Sequence, residues 1–459
     1  MHPDRFPAAL WLALLLAAPA AARPAAPQPP APPGAEPPPA RSHQEMEARE
    51  DPAAMLEFRG EEAPSLERLL ELARERSPRL EELRARAAAA QERVAPAAAL
   101  ADPTLETRLV NEGVEEWRVG SDPNSMVEVG VRQELPWPGK RGARRGEAEA
   151  AAAAAEVELV AAERELERDV TASYGRLHAF DQEVRLLDEA HELLDLLTAT
   201  VASRYSVGAA DQEALVKVGL MQSRHDVRRE EVLRERDEMA ARLRGLLALP
   251  AGTPIRQVPR LEPLALPPAD LAALAATVAP AVVARQARTL EAERRVAVAR
   301  LALRPDFSVS GAAGLRGALD PMVSLGFGVE LPFWRRSRQL PLLRAAEQEL
   351  AAARAAEHDA SNTASADAEG LLASWRRLAR QIELYDQGVL PQTSAALEAA
   401  RSAFVAARGD FSAVIEDYTL WLEARTERAR LDGERFALRA EMTALVGPDP
   451  SPVVEGARP

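Results

Sequence analysis

Four short stretches of the chain alternate between apolar and polar residues, whereas most of the rest carries helical spacing. In Val323–Leu331 the odd positions are Val323, Leu325, Phe327, Val329 and Leu331, and the even ones are Ser324, Gly326, Gly328 and Glu330. Period-2 alternation of this kind predicts a β-strand with one apolar face. Val127, Val129, Val131 and Leu135 alternate with Glu128, Gly130, Arg132 and Glu134 in the same way, with Gln133 interrupting the apolar side. Thr104–Val110 and Asp306–Leu315 are the predicted partner strands. Segments of about nine to eleven residues have the length of a transmembrane β-strand. Two half-buried hairpins of a water-soluble domain would show the same alternation, and the pattern leaves that alternative open.

Around the strands the chain is duplicated. Leu69, Leu72, Ala73 and Pro78 recur 202 positions later as Leu271, Leu274, Ala275 and Pro280, and Pro103 recurs at the same shift as Pro305. The segment Val127–Trp137 matches Val323–Phe333 at a shift of 196, so the loop before the second motif is shorter. A period this long means two copies of one large unit rather than a solenoid. Each unit is predicted to open with a short helix (65–77, 269–279) and a helix beginning at a proline (79–100, 281–303). After the strands come two long helices, 140–205 with 211–248 and 338–407 with 410–445. A helix of 66 residues is a rod of about 100 Å, and rods of this length must pack side by side. Pro391 is expected to kink the second rod.

Four strands cannot close a sheet, and lipid tolerates no open sheet edge. If the strands cross a membrane, the barrel must be shared between chains; three chains supply twelve strands. Pro136-Trp137-Pro138-Gly139-Lys140 and Pro332-Phe333-Trp334 end the second and fourth strands as strand-to-helix corners. Their aromatic rings are expected at a membrane interface. Lys140, Arg141, Arg144 and Arg145, then Arg335, Arg336 and Arg338, follow directly and are expected to meet lipid phosphates.

The chain ends and the composition narrow the class. Residues 1–22 read as a secretory signal peptide, with Arg5, an apolar run from Ala8 to Ala18 and Ala20-Ala21-Ala22; the run is shorter than the roughly 20 residues of a membrane span. Residues 23–63 are expected to be a Pro/Ala-rich disordered segment. The first repeat covers 64–250, an inter-repeat linker 251–268, the second repeat 269–446, and a disordered tail 447–459. Of 459 residues, 28% are charged and 4% aromatic, and the formal net charge of −14 disfavours a nucleic-acid partner. Without cysteine the chain has no disulfide, thiolate site or lipid-bearing cysteine. His43, His178, His191, His225 and His358 show no ligand spacing and are expected on helix surfaces; no catalytic, cofactor or metal site is predicted.

Together these features resemble the TolC-like outer-membrane efflux proteins, over about residues 64–446. The corner Glu134-Leu135-Pro136-Trp137-Pro138-Gly139-Lys140 carries the resemblance, as does the turn Arg204-Tyr205-Ser206-Val207-Gly208, which looks like the family's aromatic-x-x-Gly tip. In the second half Phe404 is followed by Ala407 where glycine is usual, and Gly409 comes two positions later. The resemblance implies a mainly α homotrimer: a 12-stranded β-barrel in the Gram-negative outer membrane and a 12-helix α-barrel in the periplasm. Its partners would be a periplasmic adaptor and an inner-membrane pump, of RND type, together with outer-membrane lipid. Tyr205, Gly208, Asp211, Phe404, Arg408, Gly409 and Asp410 would form the tip and contact the adaptor, with Tyr205 and Phe404 packed between helices. Glu416 and Asp417 would form an acidic ring at the gate, and Lys217 is the first-half equivalent of Glu416. The implied function is the outer-membrane channel of a tripartite efflux system. The corner resembles the heavy-metal branch more than the drug branch. Type I protein secretion, drug efflux and a periplasmic coiled-coil adaptor are the alternatives.

Overall fold

The computed structural model describes residues 65–447, apart from 112–123, 209, 257, 259–260, 262–266, 269, 318 and 407. The expected signal peptide, the Pro/Ala-rich segment and nearly all of the tail lie outside the described residues.

The first unit opens with α1 (Leu66–Arg76) and α2 (Pro78–Glu92). Ser65 and Ser77 cap them by accepting from the N–H groups of Arg68 and Leu80, and Pro78 occupies the first turn of α2, where its missing donor costs nothing. A five-residue helix, α3 (Val94–Ala98), precedes strands β1 (Thr104–Val110) and β2 (Met126–Leu135). Two long helices follow, α4 (Lys140–Ser206) and α5 (Gln212–Leu246). The second unit repeats the order: α6 (Leu271–Val278), α7 (Pro280–Leu301), β3 (Asp306–Arg316) and β4 (Leu319–Glu330). Its long helices are α8 (Gln339–Leu384), α9 (Leu390–Val405) and α10 (Phe411–Val446). β4 starts four residues before the alternating stretch, because a bulge between Gly314 and Arg316 lets the hairpin continue to Leu319.

The expected single rod at 338–407 is interrupted by one π-turn, Tyr385–Val389, where the Leu390 N–H reaches back to the Tyr385 carbonyl. Pro391 has no N–H and its ring crowds the preceding turn; widening the helix ahead of it absorbs both. Arg428 on α10 grips Asp386 in this turn through two hydrogen bonds, at 2.6 and 3.1 Å.

The strands form one antiparallel sheet in the order β1-β2-β3-β4. The helices joined to them lie side by side in the same order, α2, α4, α7 and α8. Toward the other end, α4 packs on α5 and α10, and α10 packs on α9. The core is therefore a series of seams between neighbouring rods. One seam joins Leu271, Ala275, Trp375, Leu378 and Met442. Another joins α1 to Val170, Leu177, Leu243 and Phe436. Gly433 and Gly175 let α10 and α4 approach closely: a Cβ on Gly433 would stand 2.7 Å from the Ala179 Cβ and 3.0 Å from the Gly175 carbonyl oxygen.

The inter-repeat segment is not a free linker where it is described. The Val258 N–H donates to Asp181 at 2.8 Å and its carbonyl lies 2.8 Å from His178 Nδ1, tying the segment to the middle of α4. His178 and His225 are buried, at 8% and 5% exposure, which corrects the expectation that every histidine lies on a helix surface.

Candidate functional site: sheet, corners and tip

Register places Leu105 and Leu109 of β1, Val127, Val129, Val131 and Leu135 of β2, Phe307, Val309, Ala313 and Leu315 of β3, and Val323, Leu325, Phe327 and Val329 of β4 on one face. Most of that face is bare: Leu105 is 68% exposed, Val323 74%, Leu325 89% and Phe327 69%. The opposite face is polar. Arg132 pairs with Glu106 at 3.0 Å, Arg108 with Glu128 at 3.6 Å, and Ser324 donates to Glu128. Gly326 and Gly328 lie on this polar face against Ser310 and Ser308, where a Cβ would come within 2.5 Å of the serine hydroxyl oxygen. The outer edges of β1 and β4 have no strand partner among the described residues.

The two corners differ. In the first, Pro136 ends β2 and Trp137-Pro138-Gly139-Lys140 makes a tight turn, with the Lys140 N–H bonded to the Trp137 carbonyl at 3.0 Å and Gly139 at φ +94°. Proline then glycine at the two central positions suits a type II turn, whose third residue needs positive φ. Asp306 locks this corner to β3: it accepts the Trp137 N–H at 2.7 Å and pairs with Lys140 Nζ at 2.8 Å. Lys140 is therefore buried in an ion pair and does not face lipid, contrary to expectation. Arg141 donates to the Ala98 carbonyl and Arg145 pairs with Glu149, so they too are engaged within the chain. Trp137 stacks on Phe307 at 5.5 Å between ring centroids. The second corner has no Pro-Gly pair. It unrolls through a run of turns after Pro332, leaving Phe333 82% and Trp334 75% exposed. Arg335, Arg336 and Arg338 are exposed and form no ion pair among the described residues.

At the far end the two hairpin turns meet. Gly208, at φ +68°, closes the first turn with its N–H on the Tyr205 carbonyl. The second turn closes differently, through the Arg408 N–H on the Ala403 carbonyl at 2.9 Å. Gly409 is needed there for space, since a Cβ would meet Ala403 at 3.0 Å. Ala407 lies outside the described residues. Asp211 and Asp410 stand at the N-termini of α5 and α10, neither making a side-chain cap bond. Phe404 is buried against Phe411 at 5.2 Å. Tyr205, expected between helices, is instead 44% exposed in the chain.

Arg204, Lys217 and Ser412 hold the two turns together. The Arg204 guanidinium lies 4.5 Å from the Phe404 ring centroid and donates to the Phe404 carbonyl. Lys217 Nζ bonds Ser412 at 3.0 Å and Glu213 at 2.7 Å. The Glu213 carboxylate and, farther off, Asp410 push the Lys217 pKa up. Glu416 is exposed and Asp417 half-buried on α10. Arg408 and Asp410 are both exposed. No single-chain signal could have announced Arg204 or Ser412, because their roles depend on how one hairpin registers against the other.

With this geometry in hand, comparison with known proteins is informative. Residues 69–248 match the family described as outer membrane efflux protein. The chain resembles this family over those residues. Its fold is shared by solved structures of low sequence identity. VceC from Vibrio cholerae is similar over 83% of this chain and 96% of its own, with a TM-score of 0.70 and 19% identity. CusC is similar over 84% and 92%, with a TM-score of 0.72 and 17% identity. The open state of the MtrE outer membrane channel of Neisseria gonorrhoeae is similar over 84% and 89%, at 0.66 and 16%. Comparison with curated protein sequences gives no significant match. The efflux-family match ends at the first repeat, and the second repeat follows it with the same order of elements.

Proposed function

We propose that three copies of this chain form an outer-membrane channel that exports small solutes across the periplasm and outer membrane. The observation that carries the reading is the sheet: four strands, two unpaired edges, one bare apolar face and one ion-paired polar face. Joining β1 of one copy to β4 of the next removes both edges and turns the apolar face to lipid, as closure in a membrane requires. Twelve strands then enclose a polar lumen, and the long helices continue it as a tunnel of about 100 Å, the length of α4. The tip residues Tyr205, Gly208, Asp211, Phe404, Arg408, Gly409 and Asp410 are the surface offered to a periplasmic adaptor, itself joined to an inner-membrane pump of the RND type. Three copies of Glu416, supported by Asp417, make the passage cation-preferring, because rings of carboxylates favour cations. That preference and the corner sequence favour metal cations as cargo over organic solutes.

The test is reconstitution. The purified chain should run as a trimer and give discrete conductance steps in planar bilayers, with cation selectivity that Glu416→Gln lowers. A monomer without conductance refutes the channel. Conductance whose selectivity is indifferent to Glu416→Gln removes the acidic ring alone.

A further inference from the structure

Beneath the second corner lies a cavity of about 320 Å³, lined by Arg144 of α4, Arg304 before β3 and Arg338 before α8, with Phe333 and Trp334 at its rim. Lys140 and Asp306 also border it but neutralise each other at 2.8 Å. Glu330 is the one further carboxylate in the wall. Three arginines against one carboxylate leave the cavity positively charged. Arg335 and Arg336 stand beside it, exposed and without an ion pair among the described residues. Cations gathered at a helix N-terminus oppose the helix dipole, so packing within the chain does not explain them.

The apolar wall is equally specific. Val329, Leu331 and Phe333 continue the bare apolar face of β4 down to the cavity, at 45%, 51% and 82% exposure, and Trp334 follows at 75%. A ligand satisfying both halves carries an anionic phosphodiester next to hydrocarbon. Arginine forks match phosphate oxygens, and an indole ring tolerates the boundary between hydrocarbon and water. We propose that this cavity binds the headgroup of an anionic phospholipid, with Arg144, Arg304 and Arg338 on the phosphate and Phe333 and Trp334 against the first acyl carbons. The inference rests on the reading above that the apolar sheet face meets lipid. It assigns the lipid to the second corner of each copy, whereas the first corner, where Lys140 is consumed by Asp306, holds none.

The test uses the full-length protein in nonionic detergent, titrated with phosphatidylglycerol or phosphatidylcholine bearing brominated chains, which quench nearby tryptophan. Phosphatidylglycerol should quench at a mole fraction about tenfold lower than phosphatidylcholine, and the selective part should vanish in Trp334→Phe. Arg338→Gln should lower the preference about fivefold, the effect of one basic residue at an anionic surface. Arg338→Lys should restore part of it, and the triple variant R144Q/R304Q/R338Q should abolish it. If the triple variant does not fold, the Arg338 pair decides alone. Equal quenching by both lipids in the unmodified protein overturns the site while leaving the lipid-facing sheet intact. No quenching by either lipid overturns the lipid-facing sheet itself. Loss of the preference in excess inorganic phosphate, but not in chloride of matched ionic strength, overturns the lipid as occupant and makes this a site for free phosphate.

Discussion

Glu183 offers the sharpest test of how the two hairpins are held together. Its side chain is 2% exposed and sits on α4 between α5 and α10. Arg228 of α5 reaches it at 2.7 Å, and Arg430 of α10 contacts both of its oxygens at 3.1 and 3.3 Å. One carboxylate thus joins three helices from both repeats. Breaking a buried ion pair by removing one partner costs about 3–5 kcal/mol. Here the two guanidiniums keep 35% and 47% of their side chains exposed, so water can take over part of their charge. We therefore expect Glu183→Gln to cost about 2 kcal/mol, short of the full buried-pair value. If the loss is local, amide hydrogens of α4 around residue 183 and of the facing turns of α5 and α10 should exchange about 30-fold faster. Hydrogen exchange followed by mass spectrometry reads this directly. Pairing the change with Arg228→Gln closes a double-mutant cycle, in which the double variant should lose less than the sum of the singles. A change under about threefold around residue 183, or strict additivity in the cycle, refutes the clamp.

Gly433→Val should push α10 away from α4, because even a Cβ there lies 2.7 Å from Ala179; a loss of about 1–3 kcal/mol is expected in denaturant titrations, the usual cost of overpacking. His225 is buried with His191 at 5.6 Å between ring centroids, the Tyr418 hydroxyl at 3.4 Å, and Asp188 and Asp226 nearby; burial first, then His191, holds its pKa below 6.5. The folded state then binds fewer protons than the unfolded one below about pH 6.5, so stability should fall as pH drops through that window, and His225→Gln should flatten the slope of the urea midpoint from about pH 7.5 to about pH 5. Leu325→Arg, on the barest position of the sheet, should cost about 2–4 kcal/mol in a bilayer if it lies near the midplane; a cost within about 0.5 kcal/mol would mark a solvated face. If Arg408 and Asp410 of neighbouring hairpins pair to hold the tip closed, neutralising both should raise single-channel conductance, and unchanged conductance would refute that pairing.

How far the sequence could be read depended on whether a feature was local. The strands were legible because Val323 to Leu331 alternate strictly, and the duplication because Pro78, Pro103 and the Glu-Leu-Pro corner each occur twice in order. The π-turn before Pro391 was visible as a disturbance, though not its form. Lys140 misled because a lysine after Pro-Gly reads as a solvated cation; its partner Asp306 lies 166 positions away and is brought there by the β2–β3 pairing. The same holds for Asp181, which spends one oxygen on Arg236 and the other on the Val258 N–H, and so turns an apparent linker into a docked strap. His225 was indistinguishable from a surface histidine because α5 has almost no amphipathic contrast on which to place it. Long rods buried along several narrow seams do not show a single apolar stripe, and burial along them cannot be read from one helix alone.

That geometry also bears on oligomeric state. A series of rods lying side by side has two lateral ends, and each end should carry whatever the neighbouring copy is to cover. On α5, at one end of the lower row, Val216, Leu220 and Val227 are 63%, 58% and 60% exposed. Their spacing of four and then seven keeps them on one helical stripe. At the other end, Leu384 of α8 and Val405 of α9 are 52% and 64% exposed. The two ends are different surfaces, so copies that join through them meet head to tail, and a head-to-tail contact must either close into a ring or grow into a filament. The sheet sets the same condition at the opposite end of the molecule, since β1 and β4 are different edges. One rotation has to satisfy both the strand edges and the helical stripes. The ring of three proposed above would meet the twelve-strand closure with no edge left over, and it would cover Val216, Leu220 and Val227 with the α8–α9 side of the neighbour. Replacing Leu220 and Val227 by Glu should therefore dissociate the trimer in detergent while leaving the helical content of each chain unchanged, and a trimer that survives the change would refute the stripe as an interface.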